Sequence, residues 1–253
     1  MNKYLNTLTH LLNEESTDLT MKDMNGWTPL YLSVALNNVD ATQLLLQQKN
    51  ININEKNTDG KAPIHIAAML PNSQILILLL TQENIDVNIQ DDAKKAALHF
   101  AALAIRAENI EKLLHKTTIN PNIKDKYNRT PLHYSAGKES AKCVQLLLNQ
   151  EGIEVNAQDQ RGWTPLHFAV DNDHLDSAKL LLGCEDIDVN IQDGKGRVAL
   201  HDAAKNGYTS CVRALLSHTY INVNMRNSFG KTPLAVAKKK AIKNLLKQYG
   251  AKK

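Results

Sequence analysis

The stretch Thr164-Pro165-Leu166-His167-Phe168-Ala169 decides the fold of this chain, because related stretches recur along the sequence at a fixed interval. Seven copies are in register, and they begin at residues 28, 62, 96, 130, 164, 198 and 232. A constant period of about 34 residues is the signature of a stack of repeated supersecondary units. The sequence therefore predicts a repeat protein in place of one globular core.

The residue types within one unit predict two short helices. Thr164 can cap a helix through its hydroxyl group, and Pro165 suits the first helical position, where its missing N–H would have no partner. A second helix is predicted from about His174, and residues 186–196 then form a connection with turn chemistry at Asp193-Gly194. Neither helix could bury its apolar face alone, so neighbouring units must stack.

The recurring Thr-Pro-Leu-His-x-Ala pattern resembles the ankyrin repeat family, and the resemblance covers nearly the whole chain. It implies an all-α ankyrin-repeat solenoid of stacked helix-turn-helix units with turn or hairpin loops. We expect a single ankyrin-repeat domain over residues 1–253. Its expected parts are an N-terminal half-repeat cap at 1–23, full repeats at 24–57, 58–91, 92–125, 126–159, 160–193 and 194–227, and a shortened C-terminal cap repeat at 228–253.

Two places depart from the pattern. Lys94 occupies a turn position that carries Gly60 or Gly162 in other repeats, and this position needs a residue that tolerates a positive φ. Pro71 lies between the two helices of the second repeat. Repeats two and three are therefore expected to be the least regular. At the start of the chain, the segment 4–13 aligns with the second helices and predicts the helix of the half-repeat.

Composition and charge limit the compartment and the partners. The sequence has no run of 18 apolar residues and no apolar signal core near Met1, and its odd count of three cysteines suits a reducing compartment. We expect a cytoplasmic monomer. The net charge of +4 is uneven, because residues 203–253 carry eleven Lys and Arg and no acid, which leaves a net −7 on residues 1–202. The basic end is either a solvated cap or a contact for an acidic partner or nucleic acid.

Five histidines recur at one position of the repeat, namely His65, His99, His133, His167 and His201. Equivalent atoms on neighbouring helices lie about 8–10 Å apart, whereas zinc ligands must reach within about 2.1 Å of one ion. We therefore expect each imidazole to bridge backbone groups of adjacent loops, and we expect no metal or cofactor. The sequence also lacks G-x-S-x-G, P-loop, H-E-x-x-H and Cys-x-x-Cys motifs, so no enzymatic activity is expected.

The positions that the repeat leaves free are the turn tips and the exposed side of the first helices, which line one concave face in ankyrin-like stacks. Arg, Trp and Tyr are typical anchors of interfaces. We call this concave face the groove. Its residues are apolar in the first three repeats and basic or aromatic in the later ones. The predicted protein-binding residues are Trp27, Leu36, Leu70, Tyr127, Arg129, Arg161, Trp163, Lys195, Arg197, Phe229 and Lys231.

The loops suggest a modification. Asn88, Asn156 and Asn190 share a Leu-x5-Asp/Glu-Val-Asn pattern, and the ankyrin resemblance implies that such asparagines are candidate sites for a 2-oxoglutarate-dependent asparagine hydroxylase. The alternative is that each Asn forms hydrogen bonds within its loop and is never modified.

We interpret the chain as a non-enzymatic protein-interaction scaffold or adaptor, with a partner of acidic surface. The strict spacing and the Asn/Lys-rich loops are similar to ankyrin proteins of intracellular bacteria or protists, many of which are delivered into a host cell as effectors. If this protein is such an effector, we expect it to act in the cytoplasm of the host cell. The alternative function is an anionic-ligand or nucleic-acid binder that uses the same basic-aromatic groove, since basic residues that alternate with aromatic rings suit bases stacked over a phosphate track.

Overall fold

The computed structural model describes residues 10, 12, 14 and 18–252, so the helix predicted over 4–13 falls almost entirely outside the described residues. Residues 18–252 contain fourteen α-helices and no strand. The helices pair by repeat as α1 (Pro29–Ala35) and α2 (Val39–Leu46), α3 (Pro63–Ala67) and α4 (Gln74–Leu80), α5 (Ala97–Leu103) and α6 (Ala107–Leu114), α7 (Pro131–Ala136) and α8 (Ala141–Leu148), α9 (Pro165–Asp171) and α10 (Leu175–Leu182), α11 (Ala199–Asn206) and α12 (Thr209–Leu216), and α13 (Pro233–Val236) and α14 (Lys240–Gln248).

The chain divides into two compact units, Met1–Asn120 and Pro121–Lys253, called here the N-terminal and the C-terminal unit. In the N-terminal unit, α1, α3 and α5 stack in one layer, and α2, α4 and α6 stack in a second layer. In the C-terminal unit, α7, α9, α11 and α13 form the first layer, and α8, α10, α12 and α14 form the second. Each unit is thus a stack of helix pairs, as the fixed period of the sequence predicts.

The core of each unit lies between its two helix layers. In the fifth repeat, the apolar residues Leu166, Ala169 and Val170 of the first helix are all buried, and so is Leu181 of the second helix. The last helix pair is short, because α13 has only four residues and the link to α14 is extended at Ala237. Burial of Ile242, Leu245 and Leu246 on one side of α14 leaves its lysines exposed.

Each first helix begins with a cap that the sequence specifies. Thr164 accepts a hydrogen bond from the backbone N–H of His167, and Pro165 follows at the first helical position. Where the hydroxyl is missing, as at Ala62, the imidazole still contributes its half of the capping box, because the N–H of Ala62 donates to Nδ1 of His65 over 2.8 Å.

The other imidazole nitrogen reaches the next repeat. Nε2 of His133 contacts the carbonyl oxygen of Trp163 at 3.0 Å, and His167 and His201 make the equivalent contacts. A carbonyl oxygen only accepts, so Nε2 carries the hydrogen, and Nδ1 accepts from the N–H of Thr130, so the ring is neutral. Burial lowers the pKa of His133 to about 4 in spite of this hydrogen bond. The predicted bridging role is confirmed for these histidines and for His65, although His65 bonds to the carbonyl of Ile89 and not to the tip residue.

The turns require a left-handed residue at one position. Gly162 has a φ of 77°, and a Cβ atom there would lie 2.9 Å from the backbone nitrogen of Gly194 in the next turn. Lys94 takes a φ of 56° at the same position of the third repeat. The expected conflict at Lys94 is therefore present, since this conformation disfavours residues with a side chain.

Candidate interaction surface

Each repeat of the C-terminal unit presents a tip of four residues just before its Thr-Pro step or the equivalent. These tips are residues 126–129, 160–163, 194–197 and 228–231, and together we call them the tip row. Neighbouring tips are joined by backbone hydrogen bonds. The N–H of Gln160 donates to the carbonyl oxygen of Tyr127 (2.9 Å), and the N–H of Gly194 donates to the carbonyl oxygen of Arg161 (2.8 Å). A third bond runs from Ser228 to the carbonyl of Lys195 (3.0 Å). The backbone thus holds the tips in a continuous row.

Arginine and aromatic side chains interleave along this row. The guanidinium carbon of Arg161 lies 4.4 Å from the ring centroid of Trp163, and that of Arg197 lies 5.6 Å from the same ring. Arg129 lies over the rings of Tyr127 (5.3 Å) and Phe168 (5.1 Å). Cation–π attraction of this kind favours contact between each guanidinium and its ring. The structure therefore brings five predicted binding residues, Tyr127, Arg129, Arg161, Trp163 and Arg197, into one cluster.

Buried carboxylates lie beneath the cluster. Asp159 accepts from Nε of Arg129 (3.2 Å) and from Nε of Arg161 (3.4 Å) with one oxygen, Oδ2. Its other oxygen accepts the backbone N–H groups of Arg161 and Trp163. Burial opposes the charge of Asp159, but these hydrogen bonds and the arginines hold its pKa below the ordinary value. Arg129 and Arg161 are thus neutralised in part by a carboxylate that solvent does not reach.

Asp193 repeats the arrangement one turn further on. Its Oδ2 accepts from the indole N–H of Trp163 (3.1 Å) and from Nε and Nη2 of Arg197 (2.9 and 2.6 Å). A second carboxylate, Asp202 of α11, accepts from Nη1 of Arg197 at 2.8 Å, while its Oδ2 is buried without a partner. Burial is the main reason that the pKa of Asp202 is raised to about 6.

Sequence reasoning missed this buried layer. It considered the residue just before each Thr-Pro step, where no acid occurs, and the exposed residues near it, but not the residue before each tip. The available signal was the recurrence of Asp125, Asp159 and Asp193 at the same position of successive repeats. Asp202 could not have been found in this way, because the equivalent positions of other repeats carry Tyr134 and Phe168.

The exposed layer of the tip row is cationic and aromatic. Lys126, Arg161, Lys195 and Lys231 are exposed, as are the rings of Tyr127 (43 %) and Phe229 (78 %). Trp163, one of the predicted binding residues, is half-buried, and its ring edge and N–H already contact its own neighbours. Phe229 is therefore the most exposed ring of the row, and Lys195 and Lys231 are exposed as well.

The predicted residues of the N-terminal unit lie in a different setting. Trp27 is half-buried against the ring of Tyr31, with the two centroids 5.2 Å apart. Leu36 is 69 % exposed, whereas Leu70 is half-buried. The tips of this unit include the exposed acids Asp59 and Asp92, so they are not purely cationic and aromatic.

The loop asparagines bond to the following loop and not within their own, which corrects the alternative that the sequence suggested. Nδ2 of Asn88 donates to the carbonyl of Thr118 (2.7 Å), and its Oδ1 accepts from the N–H of Asn120 (2.9 Å). Asn156 and Asn190 each make the same pair of contacts to the repeat that follows them. Both polar atoms of each amide thus staple one repeat to the next.

These features define a helical-repeat interaction scaffold, and comparison with known proteins gives its family. The chain belongs to the ankyrin repeat family, whose sequence profile matches in three copies over residues 1–91, 98–193 and 185–253. The predicted family and all-α solenoid fold are thereby confirmed. A search of curated proteins found no match.

Among solved structures, the chain is similar to the ankyrin repeat domain of Bcl-3, described as a unique member of the IkappaB protein family. The two are 28 % identical with a TM-score of 0.76, and the match covers 88 % of this chain and 99 % of that one. Family and neighbour support a protein–protein interaction scaffold. In the described residues, no helix is long and apolar enough to cross a membrane. Nor does that part of the chain contain a group of His, Cys, Asp and Glu arranged to hold a metal ion.

Proposed function

We propose that this protein is a non-enzymatic scaffold or adaptor that binds a protein partner through the face of its turn tips and first helices. The observation that carries the proposal is the two-layer construction of the tip row, in which exposed cations and aromatic rings lie over buried carboxylates. Since Asp159 and Asp193 fix the arginines and Trp163 in place, little side-chain entropy remains to be lost on binding. Rigid aromatic and arginine groups are the usual anchors of protein interfaces.

The partner surface that suits the tip row is acidic. Residues 126–129, 160–163, 194–197 and 228–231 contain no Asp or Glu, so no acidic side chain of the row repels an approaching carboxylate. We further propose a monomeric protein of a reducing cytoplasm, supported by the free thiols of Cys143, Cys184 and Cys211. If the protein is an effector, as the resemblance to ankyrin proteins of intracellular bacteria suggests, this compartment is the host cytoplasm.

The alternative function, an anionic-ligand or nucleic-acid binder, is favoured by one observation. Tyr127 and Phe229 are exposed rings next to exposed lysines, and such pairs stack bases above a phosphate track. The geometry of Trp163 opposes it, because Arg161 and Arg197 already lie against that ring. Arg129 and Arg197 are also paired with buried carboxylates and offer a phosphate less charge than the sequence implies.

A photo-crosslinking experiment tests the proposed function. A photoreactive amino acid replaces Phe229 in one variant and Tyr220 in the control, since both rings are 78 % exposed but Tyr220 lies outside the tip row. We expect a protein adduct at position 229 that is absent at position 220 and survives nuclease treatment. Adducts at position 220 alone, or an adduct at 229 that nuclease removes, would contradict the proposal.

Hydroxylation of Asn88, Asn156 and Asn190 remains a separate proposal. All three residues are half-buried, and their amides are bonded to the next loop, so an enzyme would act on a loop that opens locally. Incubation with a 2-oxoglutarate-dependent asparagine hydroxylase should add the mass of one oxygen atom to the peptide of each residue. Peptides that keep their mass would refute the modification.

A further inference from the structure

The spacing of the tips follows from the stacking of their helix pairs. Within one turn, the N–H of Asp159 donates to the carbonyl of Trp163 (2.8 Å), and between turns the N–H of Gln160 donates to that of Tyr127 (2.9 Å). The tips belong to neighbouring stacked helix pairs, and packed helices lie about 8–10 Å apart. Equivalent tip residues are therefore about 8–10 Å apart.

The second residue of each tip is exposed in all four repeats of the row. In chain order these residues are Tyr127, Arg161, Lys195 and Phe229. Two cations thus occupy the middle of the row, and an exposed aromatic ring stands at each end. Lys195 forms no ion pair among the described residues, and the side chain of Arg161 is 55 % exposed above its contact with Asp159. The middle of the row therefore has charge available for an anionic partner.

A polypeptide in the polyproline II conformation matches this spacing. It has three residues per turn and rises about 3.1 Å per residue, so side chains at i, i+3 and i+6 share one face at intervals of about 9.3 Å. A β-strand does not match, because residues i and i+3 lie on opposite faces. A helix would need about 20 residues to span the same four tips, at about 1.5 Å per residue. Extended segments of this kind dock on exposed aromatic rings in other recognition modules.

We propose that the tip row binds an extended acidic segment of a partner protein in the polyproline II conformation. Two carboxylates three residues apart lie opposite Arg161 and Lys195. An apolar or aromatic residue three positions before the first carboxylate lies against Tyr127, and another three positions after the second lies against Phe229. This inference rests on the proposed function and adds to it the conformation and the residue pattern of the partner.

The test uses synthetic proline-rich peptides and the full-length protein. The matched peptide carries Tyr, Glu, Glu and Phe at intervals of three residues. One control has the same composition with the two Glu adjacent, and another is a helix-favouring peptide with Glu at i and i+7. A single-stranded oligonucleotide of equal charge is the fourth probe. We expect the matched peptide to bind about threefold more tightly than the peptide with adjacent Glu, which can form only one of the two exposed ion pairs. It should also bind more tightly than the helical peptide.

Protein variants locate the contact. Arg161→Gln and Lys195→Gln should each weaken the matched peptide about threefold. Arg213→Gln and Lys247→Gln, which change exposed residues outside the row, should leave it unchanged. Equal binding of both extended peptides, or tighter binding of the helical peptide, would overturn the inference. The proposed function would still stand if the crosslink at position 229 forms. Preferential binding of the oligonucleotide would contradict both.

Discussion

Asp193 offers a test of the buried carboxylate layer, because Trp163 and Arg197 meet at this one side chain. Asp193→Asn keeps the size of the side chain, and its amide oxygen can still accept the backbone N–H groups of Lys195 and Arg197. The new NH₂ group would, however, face the indole N–H of Trp163 and two N–H groups of Arg197. Donors would then face donors, and the hydrogen bonds of Oδ2 would be lost.

The magnitude follows from the number and the exposure of these bonds. A hydrogen bond to a charged group contributes about 1.5–3 kcal/mol when it is buried. The side chain of Arg197 is 21 % exposed and keeps its contact with Asp202, so the full sum does not apply. We expect Asp193→Asn to lower the free energy of unfolding by about 2–3 kcal/mol. The pKa of Asp193 is lowered in the folded state, so this stability is present above the unfolded pKa of about 3.9 and is lost as the pH falls through the folded pKa.

The assay is urea unfolding at pH 7, followed by the fluorescence of Trp163 in a Trp27→Phe background. Asp176→Asn is the control, since its carboxylate is 81 % exposed and should change stability by less than about 0.5 kcal/mol. The effect of Asp193→Asn should shrink as the pH falls from about 4 toward the lowered pKa of the folded carboxylate. A loss below about 0.5 kcal/mol at pH 7 would show that the buried aspartates do not organise the tip row.

Three other predictions concern stability. Ile105 has a φ of 57° and is 44 % exposed, and Asn adopts this left-handed conformation more readily than Ile. Ile105→Asn should therefore raise the free energy of unfolding by about 1 kcal/mol in urea melts. A loss of stability would refute the backbone strain at Ile105. Burial raises the pKa of Asp202 to about 6, so its stabilising contribution is complete below the unfolded pKa of about 3.9 and is lost as the pH rises to about 6. Asp202→Asn should therefore raise the free energy of unfolding by about 1–2 kcal/mol at pH 7. It should also make that free energy less dependent on pH between about pH 4 and 6. An unchanged pH dependence would refute the raised pKa of Asp202. In hydrogen exchange, α8 and α10 should be slowest, and stronger protection of residues 62–105 would contradict the irregularity assigned to repeats two and three.

The sequence predicted those parts of the fold that depend on residues close together in the chain. Thr164 and Pro165 specify the start of a helix by local chemistry, and the fixed period repeats that instruction in every unit. The bridging role of the histidines was also predictable, because it follows from stacking equivalent loops. The left-handed backbone at Lys94 was predictable from the glycine in other repeats.

The candidate site was less predictable, because its contacts join residues about one repeat apart. Arg129 pairs with Asp159, and Trp163 bonds to Asp193, each 30 residues further along. A prediction from residue type alone therefore overestimated how much charge the arginines have available for a partner and how accessible Trp163 is. The hydrogen bonds of the loop asparagines were not predicted for the same reason, since Asn88 bonds to Thr118 and Asn120 in the next repeat. The single-domain organisation over residues 1–253 stays a prediction.

The central claim is that the tip row binds a protein partner. The most direct measurement is the affinity of the partner crosslinked at position 229 for a variant with Tyr127→Ser and Phe229→Ser. The control is Tyr220→Ser with Tyr249→Ser, which also removes two exposed rings but none from the row. Loss of two anchors of about 1.4 kcal/mol each predicts about a hundredfold weaker binding for the tip-row variant, at an unchanged melting temperature and with little dependence on salt. Equal affinity of the tip-row variant and the control would contradict the account.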